Sequence, residues 1–404
     1  MYDVIVVGAR CAGATTAMLL ARQGHRVLLV DRNTFPSDLV LSNHLVWQPG
    51  IAQLKRWGLL DDLVRSGCPG MTTGSIDVGP FTLTGKFPPA DGVREAYAPR
   101  RKVLDGILVE AATKSGAELW EGCTVDEVLI ADGSDGTDGS RPRVAGVRGH
   151  RVGGRTFRAH ATVVVAADGM RSPLAGMLDA PKYLERPPRL GGYFTYWSGV
   201  PISDPTLYTR PYRSVAAFPT NEDLTVIAVN WAIDDYVAVR RDIEGHYLRT
   251  LTDVAPELAE RVHAGRREER WIGAAVPSHF RRPYGPGWAL VGDAGYLKDP
   301  CTAQGITDAF NHAELLADAL DAVLRGQRSF DEALPDYERQ RNEAVMPMYE
   351  FTCARSGLEP PTPQEQELLG ALRDDQKLTE RFLGVFAGTV PVQDFFGAPI
   401  PAAA

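Results

Sequence analysis

The segment Asp3-Val-Ile-Val-Val7, Gly8-Ala-Arg-Cys-Ala-Gly13, then helical spacing from Ala14 to Gln23, constrains this chain most. A continuous apolar run reads as a strand buried on both faces of a parallel sheet. Gly8 allows a sharp turn, and Gly13 allows a helix to pack closely on the strand. The helix N-terminus then offers free N–H groups and a positive dipole end to a pyrophosphate. Gly24 suits a helix C-cap, and Arg26-Val-Leu-Leu-Val-Asp31 reads as a second strand. Asp31 lies 18 residues past Gly13, where a carboxylate can accept hydrogen bonds from an adenosine ribose. This β-turn-α-β unit opens a dinucleotide-binding fold. It departs from GxGxxG at one position: Arg10 replaces the middle glycine. Its charge either turns outward or serves phosphate or cofactor.

Two further glycine-containing turns follow buried strands. Ala166-Ala-Asp-Gly-Met-Arg-Ser172 comes after the strand 161–167. Gly292-Asp-Ala-Gly-Tyr-Leu-Lys-Asp-Pro-Cys-Thr-Ala-Gln-Gly305 lies between Trp288-Ala-Leu-Val and a helix expected over 304–325. Asp293 is placed for a ribityl hydroxyl. Backbone N–H groups at Gly305 can meet the N1–C2=O edge of a flavin, where negative charge develops on reduction. Between 186 and 271 the pattern becomes aromatic and strand-like, as in Gly192-Tyr-Phe-Thr-Tyr-Trp197 and Leu224-Thr-Val-Ile-Ala-Val-Asn-Trp231. The expected class is therefore α/β. A Rossmann-type domain (1–75, 96–185, 272–330) carries an inserted antiparallel β-sheet substrate domain (76–95, 186–271), and a C-terminal helical region (331–404) follows. Residues 131–142 read as an exposed low-complexity loop.

With these motifs in this order, the chain resembles the para-hydroxybenzoate-hydroxylase-type flavoproteins, whose superfamily also contains geranylgeranyl reductases and flavin-dependent halogenases. Asp168-Gly169 matches the family's DG motif, and Gly292-Asp293 with Pro300 and Gly305 matches its GD motif. Arg101 resembles the family arginine that contacts FAD, and Val125 the residue whose backbone meets the adenine. Tyr337-Glu-Arg-Gln-Arg341 resembles the C-terminal Tyr-Glu-x-x-Arg helix. The resemblance runs from residue 1 to about 345. It implies FAD bound by Gly8, Ala9, Arg10, Gly13, Asp31, Arg32, Arg101, Val125, Asp168, Gly169, Asp293, Pro300, Gly305 and Ile306. It also implies NAD(P)H as a transient reductant, because no second glycine fingerprint opens a βαβ unit.

The activity implied is monooxygenation: FAD is reduced, O2 is captured as a C4a-hydroperoxide, and an apolar, aromatic or polycyclic small molecule is hydroxylated or epoxidised, as in secondary metabolism. The alternative is a reductase of the geranylgeranyl-reductase type acting on C–C bonds. A halogenase fits less well, since no Trp-x-Trp-x-Ile-Pro segment is present. A carrier that dispenses with flavin would not need Asp31, Asp168 and Asp293. Candidate substrate contacts are Tyr196, Trp197, Phe218, Trp231 and His279, and candidate acid–base groups are His44 and Lys298.

Composition narrows the partners. A formal charge of −8 without a basic stretch excludes a nucleic-acid groove binder. No apolar run reaches the ~20 residues of a membrane span, and Met1 leads straight into the first strand, which leaves no room for a signal peptide. Five scattered cysteines without a CxxC pair indicate neither a disulfide framework nor a metal site. A cytoplasmic enzyme is expected, with a small organic substrate, O2, and either a homodimer partner or a separate flavin reductase.

Overall fold

The computed structural model describes residues 1–38, 44–131 and 142–397. Most of the loop expected over 131–142, and residues 39–43 before His44, lie outside them. The strand Tyr2–Val7 pairs in parallel with Val27–Val30 on one side and Thr156–Ala166 on the other. Glu118–Trp120 and Trp288–Leu290 extend the parallel sheet at its two sides. Alternate residues of the first strand face opposite ways. Val4 and Val6 join a core with the helices Cys11–Arg22, Arg101–Lys114 and Gly305–Leu324. Ile5 and Val7 join a second core beneath the antiparallel strands Cys123–Ile130 and Val144–Arg151. With both faces covered, the strand had to be apolar throughout.

The second sheet crosses between the two excursions of the chain. Its order is Arg266–Arg267, Leu190–Ser198, Thr225–Ala232, Arg213–Pro219, Thr206–Arg210, Thr73–Asp77 and Thr82–Lys86, with Ile272–Ala275 also on Leu190–Ser198. One contact, Thr206–Arg210 with Thr73–Asp77, is parallel, and the rest are antiparallel. Thr73–Asp77 straddles the boundary expected at 75–76. Ile272–Ala275, expected in the nucleotide-binding part, pairs with the sheet.

The inserted region also holds three helices that its strand-like pattern hides: Ile233–Val239, Ile243–Val254 and Pro256–Ala264. The latter two cover one face of the sheet, burying Tyr193, Trp197, Ile227, Val229 and Trp231 against Tyr247, Leu251 and Leu258. The opposite face, with Phe194, Tyr196, Phe218 and Val226, meets the C-terminal helices Pro363–Asp374 and Gln376–Ala387. The long helix Phe330–Arg355 ties the parallel sheet to a small separate sheet of Lys182–Arg186, Ser278–Arg281 and Tyr296–Leu297: Tyr337 Oη donates to the Leu290 carbonyl at 2.9 Å, and Arg341 donates to the carbonyls of Gly295 and Arg281 at 3.1 Å each. No helix among the described residues is long and apolar enough to cross a membrane.

Candidate active site

Three adjacent parallel strands end at the same edge, and the three glycine turns follow them there. Ligands of open α/β sheets bind at this edge, outside the carboxyl ends of the strands. The turns enclose one cavity of about 510 Å³. Gly8, Arg10, Asp31, Arg32, Arg101, Val125, Asp168, Gly169, Asp293, Pro300, Gly305 and Ile306 all line it, as do His44 and Lys298. Ala9 and Gly13 stand behind this wall. The Ala9 N–H donates to Asp31 Oδ2 at 2.7 Å. A Cβ on Gly13 would lie 1.7 Å from the Gly8 carbonyl oxygen, so Gly13 acts by packing. Gly8 has φ +105°, and a Cβ there would meet the Ala167 carbonyl oxygen at 2.4 Å.

Two helices present uncapped N-termini to the cavity. Neither Arg10, before Cys11–Arg22, nor Gln304, before Gly305–Leu324, caps its helix with a side chain. A Cβ built on Gly305 meets nothing within 4 Å, so backbone is accessible there. One N-terminus suits a pyrophosphate and the other the pyrimidine edge of a flavin. The residues present therefore fit FAD.

Arg10 does not turn outward. It donates to Asp105 Oδ2 at 2.6 Å and to Ser37 Oγ at 3.0 Å. Arg101 reaches Asp105 Oδ1 at 2.8 Å, and Cys11 Sγ approaches the same oxygen at 3.4 Å. Asp105 is fully buried and aims both guanidinium groups along the cavity wall. Sequence reasoning left it without a role; the available signal was its place four residues after Arg101 on one helix. Asp31 divides its carboxylate between Ala9 and Asn33 (N–H at 2.8 Å), ordering the turn while facing the cavity. Asp168 accepts from Ser172 Oγ at 2.5 Å and the Leu174 N–H at 3.0 Å, and burial raises its pKa. Asp293 is exposed on the cavity wall; the desolvation of its surroundings pushes it up to about 6, against the pull of Arg101.

Lys298, the candidate acid–base lysine, is buried and pairs with Asp308 Oδ2 at 2.5 Å, with Tyr296 5.6 Å away. Asp308 comes from the helix Gly305–Leu324, across the turn. His44 is buried in a left-handed conformation (φ 60°), with Nε2 hydrogen-bonded to Tyr196 Oη and its ring stacked on Tyr196. Burial, then Arg101 and Arg100, holds its pKa well below the ordinary imidazole value. Arg100 lies 4.6 Å over the Tyr196 ring and pairs with Asp38 and Glu269.

The substrate candidates separate. Phe218 lines a second cavity of about 510 Å³ between the inserted sheet and the C-terminal helices. Tyr196 lies on the same sheet face but is taken up by His44. Trp197 and Trp231 are on the opposite face, away from both cavities, which corrects their expected role. Their indole N–H groups donate to Tyr247 Oη (3.3 Å) and Thr250 Oγ1 (3.0 Å) inside the helix-covered core. His279 belongs to a separate three-stranded sheet and lines neither cavity, a second correction. Among the described residues both its ring nitrogens are buried without a hydrogen-bond partner, and burial lowers its pKa to about 4. The two cavities adjoin at Leu45, Leu190, Ala228, Asn230, Pro300 and Ala303.

A Rossmann-type sheet, uncapped helix N-termini and a sheet-walled chamber beside them define an FAD-dependent oxidoreductase. The family model described as "FAD binding domain" matches residues 1–352, and the chain belongs to that family. Digeranylgeranylglycerophospholipid reductase of Methanocella arvoryzae is 27% identical over 356 residues, covering 85% of this chain and 83% of the relative. The solved flavin-dependent brominase Bmp2 superposes with a TM-score of 0.80 at 19% identity, covering 96% of this chain and 93% of that one. PqsL of Pseudomonas aeruginosa, described as a probable FAD-dependent monooxygenase, gives 0.72 at 24% identity, covering 95% and 99%. The structural likenesses establish the shared fold.

Proposed function

We propose that this flavoenzyme uses NAD(P)H and O2 to hydroxylate or epoxidise an apolar, aromatic or polycyclic small molecule. The observation that carries this reading is the second cavity. It abuts the FAD cavity at Pro300 and Ala303 of the GD turn and at Ala228 and Asn230 of the inserted sheet. Phe218, Leu207, Leu368, Leu383 and Phe386 wall it, a lining suited to ring compounds. FAD, once reduced, supplies the activation of O2. The chain supplies position and charge. With FAD bound, the N-terminus of Gly305–Leu324 and the Lys298–Asp308 pair would set the electrostatics beside its flavin ring, and Arg10 and Arg101 would hold its phosphates. His44 positions Tyr196 through a neutral hydrogen bond at Nε2. The apolar walls exclude water from the reacting groups.

The test is O2 uptake and H2O2 release by the yellow FAD-loaded protein with NADPH, across phenols, indoles and polyenes, with and without an added flavin reductase. A compound for which O2 uptake exceeds H2O2 release supports monooxygenation. Product formed anaerobically defeats it and favours the second reading, a C–C bond reductase. That reading is motivated by the 27% identity to digeranylgeranylglycerophospholipid reductase. Activity only with the added reductase would make a partner protein, rather than NAD(P)H docking on this chain, the source of electrons.

A further inference from the structure

The walls of the second cavity hold two cations among the described residues, Arg210 and Arg355. Arg210 is saturated: it donates to Asp77 Oδ1 at 2.6 Å and to the carbonyls of Thr209 and Val254 at 2.8 and 3.0 Å. Arg355, in the last turn of the helix Phe330–Arg355, makes no hydrogen bond through its guanidinium to the described residues. Its contacts are Glu365 Oε1 at 3.7 Å and the face of Phe351 at 4.9 Å. Glu365 is already engaged, its Oε2 accepting from the N–H and Oγ1 of Thr362 at 2.8 and 2.9 Å in a capping box. Glu359, the other carboxylate in the wall, is paired with Arg189. A guanidinium carries five N–H donors in a fork matched to two oxygens. The Arg355 side chain is one-third exposed, so its fork faces the open cavity, where a carboxylate can replace water on its donors. Arg355 also stands one turn from Thr352, whose Oγ1 lies 2.9 Å from Thr302 Oγ1 in the GD turn.

We propose that the second cavity takes a ring compound bearing a carboxylate, and that Arg355 binds this carboxylate bidentately beside the GD turn. The inference rests on the reading of this cavity as the substrate chamber. It assigns Arg355 the orientation of the substrate: acid group on the helix Phe330–Arg355, ring system along Phe218, Leu207 and Leu383.

The experiment is isothermal titration calorimetry of the FAD-loaded protein with 2-naphthoate and its neutral isostere 2-naphthamide. The variants are Arg355→Met and Glu365→Gln. A charge-assisted pair predicts that naphthoate binds about 10- to 100-fold tighter than the amide to the parent protein. Arg355→Met should lose that factor for naphthoate and leave the amide within about twofold. Glu365→Gln keeps the capping box but removes the competing charge, so naphthoate should bind more tightly. Equal binding of acid and amide to the parent, no binding of either, or an unchanged naphthoate affinity in Arg355→Met would overturn the assignment. If Arg355→Met fails to take up FAD, the acid–amide ratio and the Glu365→Gln shift decide instead. A carboxylate that binds through Arg355 yet never raises O2 uptake above H2O2 release would sink the monooxygenase reading and leave the anion site standing.

Discussion

Replacing Gly13 by alanine tests the core of the FAD assignment. The new Cβ would stand 1.7 Å from the Gly8 carbonyl oxygen and 2.9 Å from Ala167 Cβ, and real Cβ contacts almost never fall below 3.0 Å. Gly8 O is backbone, so no side chain can swing aside. The helix Cys11–Arg22 must part from the turn by about 1.3 Å, the gap between those two distances. That shift carries its first-turn N–H groups off the pyrophosphate, stretching hydrogen bonds of ~2.9 Å past 4 Å. A hydrogen bond to a charged group is worth about 1.5–3 kcal/mol. Losing two costs about 3–6 kcal/mol, or roughly 10²- to 10⁴-fold in FAD affinity. Overpacking should take a further ~1–3 kcal/mol from stability. The assay is fluorescence titration of deflavinated protein with FAD, beside thermal melts. A folded Gly13→Ala protein that binds FAD within threefold of the parent would refute both the packing argument and the placement of the pyrophosphate.

Gly305→Ala should do the reverse: the Cβ meets nothing in the protein, so the melt should hold while FAD binding weakens about tenfold if the flavin edge lies there; unchanged affinity would move the flavin elsewhere. Asp105→Asn leaves Arg10 and Arg101 without their shared buried anion, which should cost about 3–5 kcal/mol in urea unfolding, and an unmoved midpoint would contradict this. His279 has its pKa lowered to about 4 by burial, so between pH 6.5 and 4 the unfolded chain binds the proton and the folded one does not. Its neutral burial therefore costs nothing above pH 6.5 and destabilises progressively as pH falls, by about 3 kcal/mol at pH 4. The stability of His279→Leu relative to the parent should rise by that amount across the window, and parallel pH curves would rule the effect out. Trp231→Phe should lose about 1 kcal/mol with its hydrogen bond to Thr250 and leave FAD and ligand affinities unchanged.

What the sequence made legible is the part in which backbone geometry dictates residue type. A turn with φ +105° at Gly8 and a helix closing on it at Gly13 tolerate no side chain, so the fingerprint survives in one dimension. The DG and GD turns, at the ends of neighbouring strands of the same sheet, are legible through backbone conformation: Gly169 (φ +83°) and Gly292 (φ +61°) both hold positive φ. The inserted sheet was legible as alternation but not as sidedness. Both faces are apolar, since one packs on helices 243–264 and the other on helices 363–387. Trp197 and Trp231 therefore looked no different from Phe218. The covering helices had signals of their own: Asp242 as N-cap, Pro256 at a first turn, and Tyr247, Leu251, Val254 and Leu258 at helical spacing. The neighbouring strand pattern masked them.

The electrostatics of the site depended on partners that spacing alone does not pair. Arg10 was open in sequence between facing outward and serving a phosphate. The deciding residue, Asp105, sits 95 positions away on another helix. Lys298 stood in sequence as a candidate acid–base group with no visible partner; the turn brings Asp308 back over it. In each case a buried carboxylate holds a cation at the cavity wall, so the cation is oriented before any anion arrives and little reorganisation accompanies binding. Arg355 departs from that pattern. Its carboxylate neighbour is 3.7 Å away, with its other oxygen held in a helix cap, so on the proposed reading the ligand's carboxylate completes its fork.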